Sequence, residues 1–328
     1  MKTIHQFALA GAALSIAFTA TTASAADDNV IRLGNLKFAH YGAVSYIKEL
    51  NTKCGIKVEE HMFAKGPDVM QAILAGELDV GATASEAAIA GRANGAPIYV
   101  VAGFAKGGAR LVARPDGGIK SIKDLKGKKV GVTRGGIHEV LLNAELAQAG
   151  LTVSDKPGKD VQVIFLAFAD LNQALMGKNL DAIMQSEPQS SQAINKGFGM
   201  EVMKPYDTPI GMPVRTLVMS EKFYKEKRPL AAKFMNCFVQ ATKLFIDNKA
   251  AGEKYVRESM FKNQITADDF NDAIENSPFT YDITADHIQV TTDVMFKTGT
   301  GKMRTPPVAK DWVKTDLLEQ AKKSLSIK

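Results

Sequence analysis

The chain has 328 residues, 45% of them apolar and 23% charged, with a net charge of +6 at neutral pH. That length and balance fit one or two globular domains with sizeable cores and exclude a disordered or fibrous chain. The basic surplus is interleaved with acids, as in "DLKGKK" and "KFYKEKR". This argues against a nucleic-acid face and leaves a mild field able to gather small anions.

The first 25 residues stand apart. Lys2 gives a short basic start, an apolar run extends from about Phe7 to Phe18, and Ala23-Ser24-Ala25 supplies a small-residue site. This is the layout of a cleaved secretory signal. The run is short for a membrane span, and no cysteine near the site offers a lipid anchor. The expectation is cleavage after Ala25 and a mature, soluble chain outside the cytoplasm. It would carry +5, from 40 basic residues once Lys2 is removed against 35 acidic ones. Cys54 and Cys237 are the two cysteines; they read either as a disulfide or as two buried thiols.

Strand and helix then alternate. "VIRLGNL" (30–36) reads as a strand, and "KFAHYGA" (37–43) as a loop into a helix ending near "NTKCG". "IKVEEHMF" (56–63) is a second strand, and "DVMQAILAG" a helix stopped by Gly76. "DVGATA" is too short and too rich in small residues for a helix and reads as a buried strand. "SEAAIAGRANG" is a helix with Ser85 placed to cap it, and "PIYVVAGF" a strand. Such alternation marks a mostly parallel sheet with helices on its faces.

The pattern restarts at "SIKDLKGKKVGV", a Ser-initiated turn, a Gly turn and a strand. The helix "RGGIHEVLLNAELAQAG", the strand "VQVIFLAF", the helix "ADLNQALMG", the strand "LDAIMQS" and the helix entry "EPQSSQAINKGFG" follow. Beyond "PVRTLVMS" the content turns to long helices, expected to pack back on the first half.

One phrase occurs twice: "AILAGELDVGATASE" (72–86) and "ALMGKNLDAIMQSEP" (174–188). In each copy Asp79 or Asp181 opens a short strand, and a Ser-Glu pair stands just past its carboxyl end. Ligands of open α/β sheets bind at those ends. Two such lobes facing each other would set Ser85-Glu86 and Ser186-Glu187 on opposite walls of one cleft.

At "SIKDLKGKKVGVTRGG", with "AGELDVGATASE", "LDAIMQSEP" and "SEKFYKEKRPLAAKFMNCFVQA", the chain resembles the periplasmic substrate-binding proteins of ABC transporters. More closely, it is similar to the branch handling nitrate, taurine, aliphatic sulfonates and thiamine-precursor pyrimidines. The resemblance implies an α/β, two-lobed type II fold. Each lobe would hold a mixed, mostly parallel sheet flanked by helices, with the ligand cleft between the lobes. The implied boundaries are 26–113 and 214–328 for the first lobe and 114–213 for the second. Hinges would lie near Arg114-Pro115 and Pro213-Val214. It further implies a periplasmic monomer that captures a small organic anion by hinge closure and delivers it to an inner-membrane ABC permease. Binding of a nitrogenous, pyrimidine-type compound is the alternative.

Candidate ligand residues follow from the loops at the strand ends. Lys37, Phe38, His40 and Tyr41 lie after the first strand, where Lys37 could pair with an acidic group and Phe38 or Tyr41 could form a wall; a solvated loop is the plainer reading. Ser85 and Glu86 sit where a helix N-terminus favours an acidic head group, and Ser85 could cap, bind or do both. In "TRGGIHE", Gly135 and Gly136 permit close backbone approach, and Arg134 or His138 could add a donor. Phe168 closes the next strand, with Asp170 expected to cap its helix. Glu187 closes the one after. Glu86 and Glu187 oppose a pure anion site, so either they face away or the ligand brings an amine or amide. Arg215 would grip a carboxylate or sulfonate bidentately, or form an interlobe salt bridge.

An enzyme on the same scaffold is the competing class, because pyrimidine-forming and tetrapyrrole-building enzymes are similar to this fold. The Cys-rich motif of the first and the cofactor-bearing Cys of the second are not seen. The histidines show no metal-ligand spacing, and no Gly-x-Ser-x-Gly elbow occurs. The expectation is therefore no catalytic residue, no metal, no cofactor and no nucleic-acid partner.

Overall fold

A computed structural model describes residues 29–327; the secretory signal read in residues 1–25 and its cleavage site lie outside them. β1 (Val30–Leu36) leads through a helical stretch holding α1 (Gly42–Tyr46) and α2 (Asn51–Cys54) to β2 (Lys57–Phe63). Next come α3 (Gly66–Leu74), β3 (Val80–Ala84), α4 (Ser85–Ala93) and β4 (Ile98–Lys106). Gly107 and Gly108 carry the chain across to β5 (Ala109–Ala113), β6 (Lys129–Val132), α5 (Ile137–Gln148), β7 (Val153–Ser154) and β8 (Val161–Phe165). Then follow α6 (Phe168–Met176), β9 (Ala182–Ser186), α7 (Gln189–Asn195) and β10 (Met200–Met203). The chain returns to β11 (Val214–Ser220) and ends in α8 (Glu221–Glu226), α9 (Arg228–Asp247), α10 (Lys249–Lys254), α11 (Ala267–Asn276), α12 (Ala285–Thr298), α13 (Ala309–Trp312) and α14 (Asp316–Ser324).

These strands form two mixed sheets. The first has the order β2-β1-β3-β11-β4 and the second β10-β5-β9-β6-β8-β7. β1 runs parallel to β2 and β3, and β6 parallel to β8 and β9. Each sheet also takes one antiparallel strand beside its repeated-motif strand: β11 beside β3, and β5 beside β9. β5 thus belongs to the second sheet, although the sequence boundary put residues up to 113 in the first lobe. The first crossover falls at Gly107-Gly108, where both residues have positive φ, +69° and +78°. Only glycine takes that backbone without strain. The two crossovers are tied together by a hydrogen bond from Gly107 N to Pro213 O at 2.8 Å.

The repeated phrase has a repeated job at the start of its strand. Asp79 N–H donates to Arg32 O at 2.9 Å while Asp79 Oδ2 accepts from Arg32 N at 2.9 Å. Asp181 N–H donates to Lys129 O at 2.9 Å while Asp181 Oδ2 accepts from Lys129 N at 2.8 Å. Each Asp therefore locks its strand to the neighbouring parallel one. β3 is wholly buried, and its small residues let α3 approach: a Cβ on Gly81 would stand 2.7 Å from Val69 Cγ1 and 2.8 Å from Ile73 Cδ1.

The C-terminal helices pack mainly on the first sheet's helices, with α9 against α1 and α14, while α11 and α12 also reach α7 and α5 across the cleft. Of the two readings of the cysteines, the structure shows the disulfide: Cys54 at the end of α2 is bonded to Cys237 in the middle of α9, with Cα atoms 5.8 Å apart. Among the described residues no helix is long and apolar enough to cross a membrane.

Candidate functional site

Where the sheets face each other, the exits of β1, β3 and β9, the entry of β11 and the first turns of α4, α5 and α6 meet around one small cavity of about 20 Å3, room for a single water. Its wall includes Phe38, His40, Tyr41, Glu86, Gly136, His138, Phe168 and Arg215, eight of the thirteen residues proposed from sequence. Sequence-distant segments from both sheets supply it.

Its polar chemistry is concentrated and incompletely paired. Arg215 is buried, and its Nη2 donates to the carbonyls of Gly107 at 2.6 Å and Gly108 at 3.2 Å. Its Nε has no partner, and no carboxylate forms an ion pair with it among the described residues. His138 Nε2 lies 3.2 Å from Gly108 O, so the carbonyl selects the Nε2–H tautomer and leaves Nδ1 as an acceptor. His138 Nδ1, His40 Nδ1, Glu86 Oε2 and Ser186 Oγ are all buried without partners. Buried polar atoms are normally satisfied, so this unpaired cluster sets the cavity apart from the rest of the interior.

Burial sets the charge states. It pushes the Glu86 carboxyl up to about 7, opposed by the Arg215 cation and by backbone N–H groups including that of Ile137 in the facing lobe. Burial, then Arg215, pushes His138 down to about 3, and the same causes hold His40 well below its ordinary value. Burial raises the Tyr41 hydroxyl. At neutral pH the cavity therefore holds two neutral imidazoles and a carboxyl near its midpoint, beside the Arg215 guanidinium and with Lys65 also on its wall.

Five of the sequence candidates stand elsewhere. Lys37 lies at the mouth of a wider cleft, 5.2 Å over the Phe261 ring. Arg134 is exposed, stacks on Phe165 at 3.7 Å and pairs with Asp155 at 3.2 Å, away from the inner cavity. Gly135 N–H donates to Glu139 Oε2 at 2.6 Å. Ser85 is the first residue of α4 and makes no cap; Ala84 occupies the cap position with extended backbone. Asp170 likewise falls inside the first turn of α6, after Ala167. Glu187 turns away from the cavity into a buried network: Arg110 Nε at 2.9 Å, Asn276 Nδ2 at 2.8 Å and Ser191 Oγ at 2.7 Å.

Among the described residues Arg215 forms no salt bridge, contrary to one of its two readings; an ion pair across the lobes is made by Arg110, which holds Asp272 of α11 through both terminal nitrogens at 2.8 and 2.9 Å. The cavity residues outside the thirteen include Lys65, Gly66 and Ser186. Ser186 was visible as the serine of the second motif copy. Gly66 is dictated by contact, since a Cβ there would stand 2.2 Å from Thr83 Oγ1.

Comparisons with known proteins agree with this architecture. A family model described as NMT1/THI5 like matches residues 48–251. A Brucella abortus (strain 2308) protein, provisionally named a binding protein, is 33% identical over 52% of this chain and 52% of its own length, so the chain spans about half of that relative. An Escherichia coli K12 protein, provisionally named an aliphatic sulfonates-binding protein, is 30% identical over 71% of this chain and 69% of its own. Among solved structures, the alkanesulfonate-binding protein SsuA of Xanthomonas axonopodis pv. citri, bound to MOPS, superposes with a TM-score of 0.74 at 17% identity. The match covers 89% of this chain and 100% of that one, a likeness of fold.

Proposed function

Because the chain belongs to the NMT1/THI5-like family, we propose that it is a periplasmic solute-binding protein, acting as a monomer, that captures a small sulfonate-like or carboxylate-like anion. Hinge closure of its two lobes about the Gly107 and Pro213 crossovers traps the anion, and an inner-membrane ABC permease receives it. The observation that carries this reading is Arg215: a buried guanidinium with a free Nε, ringed by unpaired polar atoms from both lobes. Such a cation is costly to bury unless an anion completes it. The secretory signal read in residues 1–25 supports the compartment, and the named relatives support the transport role.

The naming of the relatives as binding proteins supports a non-enzymatic role. The hydroxyls of Ser85 and Ser186 have no hydrogen-bond partner, so neither is activated by a histidine. A second reading has its own observation: Glu86 Oε2 and His138 Nδ1 are unpaired acceptors, which suit a ligand with N–H donors such as a pyrimidine.

The test is a thermal-shift screen of the purified protein against taurine, alkanesulfonates, nitrate, carboxylates and pyrimidines. A ligand at a hundred times its Kd adds about 2.7 kcal/mol of stability, a readily measured rise in Tm. A saturable rise with an anion supports the first reading and one with a pyrimidine the second. No shift from any compound in the panel counts against both.

A further inference from the structure

The first crossover is held from both of its faces. On one face Gly107 N–H donates to Pro213 O at 2.8 Å, Gly108 N–H to Asn276 O at 3.2 Å and Ala109 N–H to Tyr206 Oη at 3.1 Å. On the other, the carbonyls of Gly107 and Gly108 accept from Arg215 Nη2 at 2.6 and 3.2 Å, and Gly108 O also meets His138 Nε2 at 3.2 Å. In a trans peptide the N–H and the C=O point in opposite directions from one rigid plane. The Gly107–Gly108 peptide is therefore held by Asn276 at one end and Arg215 at the other. The Gly108–Ala109 peptide is held by Tyr206 at one end and by Arg215 and His138 at the other. A Cβ on Gly107 would stand 2.4 Å from Asn276 O, and one on Gly108 3.1 Å from Arg215 Nη2, so glycine lets both contacts close at once.

The groups behind the crossover are matched donor to acceptor. Asn276, the last residue of α11, is buried, and its Nδ2 donates to Glu187 Oε1 at 2.8 Å and to Ala109 O at 3.2 Å. That uses both amide hydrogens, and Oδ1 accepts the single hydrogen of the Tyr206 hydroxyl at 3.0 Å. Burial pushes that phenol up to about 12, so it keeps its hydrogen at neutral pH. Tyr206 lies on the second crossover, Asn276 in the first lobe and Glu187 in the second, and neither Tyr206 nor Asn276 lines the inner cavity. We propose that Tyr206 and Asn276 are positioning residues for the anion site. They fix the tilt of the two peptide planes and, through the carbonyls, the direction of the Arg215 guanidinium and the tautomer of His138. The proposal rests on the reading of Arg215 as the anion's partner. The same planes belong to the segment about which the lobes turn, so the hold on the anion and the lobe angle change together.

The test uses Tyr206→Phe, which takes the acceptor from Ala109 N–H, and Asn276→Ser, which breaks the link to Tyr206 and Glu187. Tyr255→Phe is the control, since it removes a buried hydroxyl that donates to Ser45 O of α1 at 3.1 Å. The first readout needs no ligand: nitrogen NMR of the purified protein carrying isotope-labelled histidine, with the His138 signals assigned by His138→Gln. The wild type and Tyr255→Phe are expected to show the Nε2–H tautomer alone, and the two test variants a mixture of both neutral tautomers. The second readout is a double-variant cycle on the Kd of the anion found in the thermal screen. Tyr206→Phe is expected to raise that Kd roughly two- to tenfold beside Arg215, and to leave it within roughly twofold in the Arg215→Ala background. Wild-type His138 signals in both test variants overturn the positioning role. So does an equal fold-change with and without Arg215, because a general loosening of the fold acts in both backgrounds. If no anion binds, anion capture is overturned, and the His138 spectra alone then carry or overturn the positioning of the carbonyls.

Discussion

Glu86 is buried in the first turn of α4, and that burial pushes its carboxyl up to about 7 despite the pull of Arg215. The charged and titratable groups around it are Arg215 from β11, His138 from α5, His40 and Tyr41 from the turn after β1, and Lys65 ahead of α3. Burial and the Arg215 cation hold His138 down to about 3 and His40 well below its ordinary value. Among the carboxyl and imidazole groups here, Glu86 therefore changes charge between pH 6 and 8. An anion entering the cavity meets a neutral carboxyl below pH 7 and a carboxylate above it. If it binds only the protonated form, its Kd scales as about 1 + 10^(pH − 7), so it weakens roughly tenfold from pH 6 to pH 8.

Glu86→Gln keeps the shape and removes the titration. Its Kd is expected to stay flat with pH and, at pH 8, to be about tenfold below that of the wild type. Isothermal titration with the anion found in the thermal screen, at pH 6, 7 and 8 and constant ionic strength, measures both numbers. A solute that donates N–H groups to Glu86 gives the opposite sign: tighter binding toward pH 8, and weaker binding by the glutamine variant. A wild-type Kd independent of pH, or a glutamine variant that keeps the slope, refutes the argument that this proton controls anion entry.

Arg215→Ala removes the cavity's guanidinium and frees the Gly107 and Gly108 carbonyls it holds. Anion affinity is expected to fall at least tenfold, with Arg215→Lys intermediate because it keeps charge without the fork; unchanged affinity removes Arg215 from the site. Reduction of Cys54–Cys237 opens a loop closed over a sequence separation of 183 residues, and is expected to cost roughly 2–5 kcal/mol. Urea midpoints with and without reductant measure it, and coincident midpoints would show the bond to be energetically idle.

What was legible in the sequence is what depends on neighbours along the chain. β1 coincides with "VIRLGNL", and β3 falls within "DVGATA", because the alternation and small size of those residues are local signals. β5 was missed as a member of the second sheet because no polar loop precedes it. Gly107 and Gly108 suffice for the crossing, and its pairing with β9 lies about seventy residues away. The Ser85 cap failed by one position, since Ala84 already has the extended backbone of a cap and the serine falls inside the helix. Arg134 and His138 lie four residues apart, yet one faces solvent and the other the cavity, because Arg134 is in the turn before α5, ahead of the positive-φ Gly135, and His138 is inside the helix.

The repeat in the sequence extends further than its quoted letters. Arg110 is the second residue of β5 and pairs in register with Gln185, two residues before Glu187. Arg215 is the second residue of β11 and pairs in register with Ala84, two residues before Glu86. Each lobe therefore carries the same constellation: an arginine on the inserted antiparallel strand, and a glutamate just beyond the motif strand. In the second lobe it is filled by carboxylates, with Arg110 Nε 2.9 Å from Glu187 Oε1 and the terminal nitrogens held across the lobes by Asp272 of α11. In the first lobe Arg215 turns its terminal nitrogen to backbone carbonyls, its Nε stays unpaired, and Glu86 stands near its midpoint of protonation instead of forming an ion pair. One copy thus contains its own carboxylate, while the other presents the same cation to the cleft. The oxygen that Glu187 sets against Arg110 is the kind of atom that would complete Arg215, and this is the ground for proposing an oxyanion head over a neutral one. On the anion reading, the protonatable Glu86 is expected to weaken the affinity of that oxyanion as pH rises through 7.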